Sequence, residues 1–267
     1  AMAAVGALAL AAGILAAAPA AVGQVPGGLN PCLGPLAAEL LCPDLVMRPP
    51  YDLRIDRRTR PGRVLLRAAN SIDSVGVGPA ELRGRRDGPR TMAARQRILR
   101  RDGTRLTVST GARLYFKAIP GQGHYWKFHH AARFELWSLD ANGARARLVR
   151  TGPKVSYCLR DLVRRNPRLR RSPRRRVYPA CNRRAGQRRV TLGTSVGWSD
   201  VYPASYHEQW VDVTGLRGRF SLVHLADPRN GIWELDERNN SSETILVLPS
   251  GRALRTRGGG GGPDRGY

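Results

Sequence analysis

What most limits the fold open to this chain is a succession of short β-prone runs separated by glycine, asparagine and proline. Examples are 64–68 (VLLRA), 105–108 (RLTV), 114–116 (LYF), 209–213 (QWVDV), 220–223 (FSLV) and 244–248 (TILVL). Regular short runs of this kind, bounded by turn formers, predict an all-β sandwich. A short helix is expected only at residues 93–101. With 267 residues the chain is long enough for one large β domain or two small ones.

One run stands apart. Residues 121–136 read GQGHYWKFHHAARFEL and hold three of the five histidines, together with four aromatics and a lysine. Alternation around Trp126, Phe128 and Phe134 predicts a strand. Histidines gathered on a strand point to a metal, because imidazole nitrogen suits copper, zinc and iron. His124, His129 and His130 are therefore candidate ligands, although regular pleating sends His129 and His130 to opposite faces.

The formal net charge of +25 favours anionic partners. Lysine occurs only at positions 117, 127 and 154, so nearly all of this charge is arginine. Abundant Arg, Ala, Gly and Pro with scarce Lys also fits a genome rich in G and C. Charge alone therefore does not make nucleic acid the expected partner, and an anionic cell-surface polymer is the better match. Arginines crowd between residues 164 and 189, where like charges repel and predict a mobile loop. That loop is either a docking arm for the polymer or a solvated excursion around Cys181. Residues 258–262 are glycines and predict a flexible tail.

Residues 1–21 form an uncharged Ala/Leu/Gly run with Ala18-Pro19-Ala20 near its end. This pattern predicts a secretory leader with a small-residue cleavage site rather than a membrane anchor. No other segment is apolar enough to span a membrane, so a secreted, extracellular protein is expected. Four cysteines in an exported chain predict two disulfides. Cys32–Cys42 with Cys158–Cys181 is the simplest of three connectivities, and neither pair has the short ligand spacing of a zinc site. The expected organisation is a leader at 1–21, an N-terminal segment at 22–43, a β domain at 44–248 and a tail at 249–267.

The run from Trp126 to Leu136, followed by Pro153-Lys154-Val155-Ser156-Tyr157-Cys158-Leu159, resembles the core of the lysyl oxidase family. That family comprises secreted amine oxidases dependent on copper and a quinone. The resemblance extends from Pro43 to Leu248, through Val75-Gly76-Val77-Gly78-Pro79, Trp210-Val211-Asp212-Val213-Thr214-Gly215 and Leu225-Ala226-Asp227-Pro228. It implies a lysyl-oxidase-like β-sandwich with long loops and an arginine-rich mobile insertion, and it agrees with the disulfide pairing above.

The family builds its quinone, lysine tyrosylquinone, by cross-linking a lysine to an oxidised tyrosine. The lysine lies four residues before a cysteine, as Lys154 does before Cys158. The tyrosine closes an Asp-x-Tyr run upstream of Gln-Trp, as in Asp200-Val201-Tyr202 and Gln209-Trp210. The resemblance thus implies Lys154 and Tyr202 as the catalytic pair. The family's copper is held by H-x-H-x-H on an extended segment, where alternation brings three imidazoles to one face. Aligned on Ala132-Arg133-Phe134-Glu135-Leu136, that triplet falls at Gly123, Tyr125 and Lys127, and one residue earlier at Gln122, His124 and Trp126. The expectation is a rearranged or weakened copper site drawing on His124, His129 and His130.

The family also binds calcium through an Asp-Leu near the domain start and an E-x-D-x-x-N-N run near its end. Asp44, Leu45, Glu234, Asp236, Asn239 and Asn240 match that pattern. Calcium takes six to eight hard oxygens, and Leu45 would offer its carbonyl. Such an ion would tie the start of the domain to its end.

Three functions compete on these grounds. The first is a copper- and quinone-dependent oxidase turning a protein or small-molecule amine into an aldehyde with release of peroxide. The second is a calcium-stabilised binding module without redox activity, and the third a binder of anionic polymer. Both quinone precursors are present, so the first is the expectation. Ser205 and His207 are close, but neither a nucleophile elbow nor an orienting acid accompanies them.

Overall fold

The computed structural model describes residues 29–258. The expected leader and residues 259–267 of the expected tail lie outside the described residues. Among the described residues the regular structure is strand, apart from two 3-10 turns, Ala37–Glu39 and Glu237–Asn239. The all-β class is as the sequence predicted.

The strands form three antiparallel sheets. The largest runs Ser156–Tyr157, Gly123–His129, Arg113–Ile119, Thr91–Arg100, Ala80–Arg86 and Arg189–Thr194, with two short strands attached to Thr91–Arg100. A second sheet runs Arg145–Thr151, Ala132–Leu139, Gly218–Ala226, Ser241–Leu248 and Arg252–Gly258. The third is built on Leu65–Ser74, which pairs with Leu45–Met47, Tyr51–Asp56, Trp198–Tyr202 and Trp210–Asp212. Their inner faces share a core that includes Trp126, Phe128, Phe134, Tyr157, Met92 and Leu136. Among the described residues, no helix is long and apolar enough to cross a membrane.

The expected run 64–68 is the start of the ten-residue Leu65–Ser74, and Arg105–Val108 is a strand as read. The helix expected at 93–101 is not formed. Thr91–Arg100 is a strand in which Met92, Ala94, Gln96 and Ile98 are buried while Ala93 and Arg95 are exposed. A period of two places those four side chains on one face of a strand, whereas a helix would scatter them around its axis. Beyond Leu248 the chain turns and returns as Arg252–Gly258, paired along Ser241–Leu248. The sheet therefore continues past the residue at which the domain was expected to end.

Both disulfides pair as predicted, Cys32 with Cys42 and Cys158 with Cys181. The second fastens the arginine-rich loop to the core. Between Arg164 and Arg189 the chain has no strand, yet it is tied to the body at several points. The Trp198 indole donates to the Pro173 carbonyl (3.0 Å), and the Val177 amide donates to Asp161 (2.8 Å). The Trp126 amide donates to the Asn182 carbonyl (2.9 Å). Its charged tips, including Arg170, Arg171, Arg174, Arg175 and Arg176, face solvent.

The Val75–Pro79 motif is a close backbone approach. The amides of Val77 and Gly78 both donate to the Cys42 carbonyl at 3.0 Å. A Cβ at Gly78 would fall 1.9 Å from the Leu41 carbonyl oxygen. The obstacle is backbone, which cannot rotate away as a side-chain tip can. Gly78→Ala is therefore expected to cost about 3 kcal/mol, the upper part of the overpacking range, measured by urea unfolding.

Candidate functional site

Three strands meet around a buried lysine. Lys154 follows Pro153 in the turn before Ser156–Tyr157, and that short strand pairs Tyr157 with Phe128 of Gly123–His129. On Trp198–Tyr202, Asp200 and Tyr202 are two residues apart and so share a face. Lys154 Nζ lies 4.3 Å from the Tyr202 ring centre, 4.6 Å from Tyr206 and 4.7 Å from Tyr157. The sequence-predicted pair Lys154 and Tyr202 is thus brought together. Tyr157 and Tyr206, which sequence reasoning did not single out, complete an aromatic cage.

Lys127 enters the same space from Gly123–His129. Its Nζ is 5.4 Å from the Tyr206 ring centre, 5.8 Å from that of Tyr202, and 3.5 Å from the Tyr206 hydroxyl. Lys127 and Lys154 are each only 1% exposed. At the rim Lys117 pairs with Glu208, and His207 lies 3.4 Å from Glu208. All three lysines of the sequence therefore gather at one site. Their scarcity was visible beforehand; their convergence was not.

Burial sets the electrostatics. It brings Lys127 down to about 8 against the pull of Asp200, and it holds Lys154 well below the ordinary amine range, with the Lys127 charge adding to the effect. Asp200 is pushed up to about 7 by burial, opposed by Arg160, Lys127 and Lys154. Neither Asp200 oxygen has a well-formed hydrogen bond among the described residues. Burial also raises Tyr157 and Tyr202, and brings Tyr206 to about 12, so the phenols stay protonated. The Tyr157 hydroxyl accepts from Asn70 Nδ2 at 2.5 Å, and the Asn70 Oδ1 accepts from Gln209 Nε2 at 3.0 Å. This fixes the floor of the cage.

The candidate copper histidines do not assemble. His124 and His129 are five residues apart on one strand, on opposite faces and separated by roughly 17 Å along it. His124 is exposed and stacks on Phe116 at 5.5 Å. His130 lies beyond the strand at φ 60, its ring stacked on His129 at 3.9 Å. Of the remaining two, His224 is buried against Phe134 at 3.6 Å, and burial holds it down to about 3. The face that would carry H-x-H-x-H presents Gly123, Tyr125 and Lys127 instead. Among the described residues, no group of three or more His, Cys, Asp or Glu is placed to hold a metal ion. The residues present do not fit copper.

The oxygen-rich cluster predicted from Asp44 and the 234–240 run does come together, at the seam between Leu45–Met47 and the Glu237–Asn239 turn. Asn239 Nδ2 donates to Asp44 (2.8 Å) and Asn240 Nδ2 to Glu234 (2.9 Å). Leu45 enters through its amide, which donates to Glu234, rather than through the carbonyl expected of it. Asp236 caps the turn by accepting from the Arg238 amide at 2.9 Å and also pairs with the exposed Arg238 side chain. Glu237, absent from the predicted set, accepts from Asn240 Nδ2 at 3.3 Å and from the Glu234 amide at 3.1 Å. Burial raises Glu234 well above the carboxylate range, helped by Asp227, and it also raises Asp44, Glu237 and Asp227, the last to about 7. The Oδ1 atoms of Asn239 and Asn240 are buried without a partner among the described residues. Crowded carboxylates and unpartnered amide oxygens are the donor chemistry that calcium prefers. In the present arrangement these groups close on one another.

A family model for lysyl oxidase matches residues 91–254, more than half of the chain. The chain belongs to the lysyl oxidase family, whose members are secreted and depend on copper and lysine tyrosylquinone. No curated protein matches it.

Proposed function

We propose that this chain is an exported, calcium-tied member of the family that binds its partners without copper redox chemistry. The observation that carries this reading is Lys127. It stands where the third copper ligand would be, buried and directed into the site. A protonated ammonium there repels a cation, and its neutral amine lacks the two companion imidazoles. Calcium at Asp44, Glu234, Glu237, Asn239 and Asn240 would stabilise the fold by binding only the folded state. Two disulfides and the family's secretion support export.

Copper retention tests the reading. His129 already shares a face with positions 125 and 127, so Tyr125→His with Lys127→His would create an alternating triplet at 125, 127 and 129. Position 123 is avoided because Gly123 has φ 104. After dialysis the wild type is expected to retain negligible copper and the double variant close to one ion per chain. Stoichiometric copper in the wild type, with peroxide released on adding an amine, would overturn the proposal.

A second reading, the copper- and quinone-dependent amine oxidase, is favoured by the 4.3 Å approach of Lys154 Nζ to the Tyr202 ring centre. Loss of amine-dependent peroxide release in Tyr202→Phe would be its signature. Attachment to an anionic cell-surface polymer is supported by the exposed arginines of the 164–189 loop, and would weaken steeply with salt.

A further inference from the structure

The arginine-rich loop forms one wall of a cleft whose other wall is the largest sheet. The cleft measures about 500 Å3, within the ordinary size range of small-molecule sites. Leu41, Leu159 and Val196 line it and are buried. Val77 and Val177 line it from two separate segments, and they are left 39% and 57% exposed. Apolar side chains left uncovered around one concave surface are a binding feature.

One buried carboxylate shapes the cleft. Asp161 accepts from the amides of Val177 (2.8 Å) and Tyr178 (3.2 Å) on the loop. It also accepts from the amide (2.7 Å) and hydroxyl (2.8 Å) of Ser195, just past the strand Arg189–Thr194. The two walls are thus held together, with the Cys158–Cys181 disulfide as a second tie. Arg171, which also lines the cleft, takes φ 73. A residue with a side chain keeps that left-handed conformation only where its surroundings hold it. Arg164 supplies the hold by donating to the Ser172 carbonyl (3.0 Å) and hydroxyl (3.2 Å).

Charge decides what the cleft takes. Its lining carries one carboxylate, Glu81, and three guanidiniums, those of Arg97, Arg105 and Arg171. Glu81 is already satisfied. One oxygen accepts from Arg83 (3.0 Å), and the other from Arg97 (2.6 Å) and the Tyr178 hydroxyl (2.7 Å). Arg105 and Arg171 are exposed, and neither side chain enters an ion pair among the described residues. We propose that this cleft binds a small carboxylic acid with a hydrocarbon tail. The tail lies along the leucines and valines, and the carboxylate sits at Arg105 and Arg171. A guanidinium grips a carboxylate through two parallel N–H donors. The site stands apart from the lysine and tyrosine cage, whose residues line no part of it.

Titration calorimetry of the disulfide-intact protein with decanoate tests this. One decanoate per chain is expected, while acetate lacks the tail and decylammonium has the wrong charge to bind. Arg105→Glu with Arg171→Glu is expected to weaken decanoate at least about tenfold, the loss of one charge-assisted contact. Val177→Asp sets a charge against the tail and weakens binding as well. Arg174→Glu with Arg175→Glu makes the same change of charge on the same loop, outside the cleft. That control should hold the affinity within about twofold, because exposed charges away from the ligand are screened. All five positions are exposed, so the fold is kept. Equal losses in the two double variants would reveal a general effect of charge and overturn the proposal. So would decanoate that does not saturate, or acetate and decylammonium binding as well as decanoate does.

Discussion

Stripped of divalent cations, the protein is expected to lose stability as the pH rises from about 5 to 7, to pass through a minimum between 7 and 8, and to recover above it. Asp200 and Asp227 are each moved by burial from 3.8 to about 7. A raised carboxylate contributes stability below its unfolded value and loses it as the pH climbs through its folded one. Each of these two shifts corresponds to roughly 4 kcal/mol. Glu234, Asp44 and Glu237 act in the same direction. His224, held down to about 3, works against them up to its ordinary 6.5 and offsets part of the loss. Lys127 has the opposite sign in a higher window. Its amine is lowered from 10.5 to about 8, so stability is regained between those values. Calcium would hold the seam carboxylates ionised and oppose the loss. The rise in Tm on adding calcium is therefore expected to be small at pH 5 and large at pH 8. Scanning calorimetry at the two pH values decides it, and a calcium effect independent of pH would count against the seam as its site.

Asp200→Asn is expected to stabilise the protein at pH 8 by up to about 4 kcal/mol, because the amide is a neutral isostere of an acid whose ionisation burial opposes. The substitution keeps the shape and removes a charge that Arg160, Lys127 and Lys154 only partly offset. Below about pH 4, where Asp200 is protonated in the folded and unfolded chain alike, it should change little. Urea unfolding of the wild type and the variant at the two pH values decides it. A cost of several kcal/mol at pH 8 would show that pairing with the cationic neighbours outweighs burial.

The strands were legible because each carries its own local signal, as Arg105–Val108 does. Thr91–Arg100 was misread at its C-terminal part because Ala93, Ala94, Arg95 and Gln96 are good helix formers. There a two-residue burial pattern, set by the sheets on either side, overrode local preference. Arg252–Gly258 was hidden for a different reason: all seven of its residues are exposed, so no buried face marks it as a strand.

The site was legible in pairs rather than as a whole. Lys154 and Tyr202 were picked out by the resemblance to the lysyl oxidase family, whose motifs set them beside Cys158 and ahead of Gln209, and they lie together in the structure. Tyr206, Asp200 and Lys127 reach the same cage through sheet pairing, which leaves no periodic trace in sequence. The histidines gave the reverse lesson. Three within seven residues suggested a metal, but an odd separation along a strand sends side chains to opposite faces, and His130 lies past the strand end. At the seam, the Asp44 and 234–240 segments were matched by pattern, while Glu237 inside that run went unnoticed until its contacts with Asn240 and the Glu234 amide were seen.

The central claim is that Lys154 and Tyr202 stay separate because no copper is held beside them. It is tested most directly by exposing the secreted, disulfide-intact protein to copper(II) and oxygen, then reducing the disulfides and mapping its peptides by mass spectrometry. The account predicts Lys154 and Tyr202 in two unmodified peptides, with no quinone absorbance. A cross-linked peptide joining Lys154 to Tyr202 would contradict it.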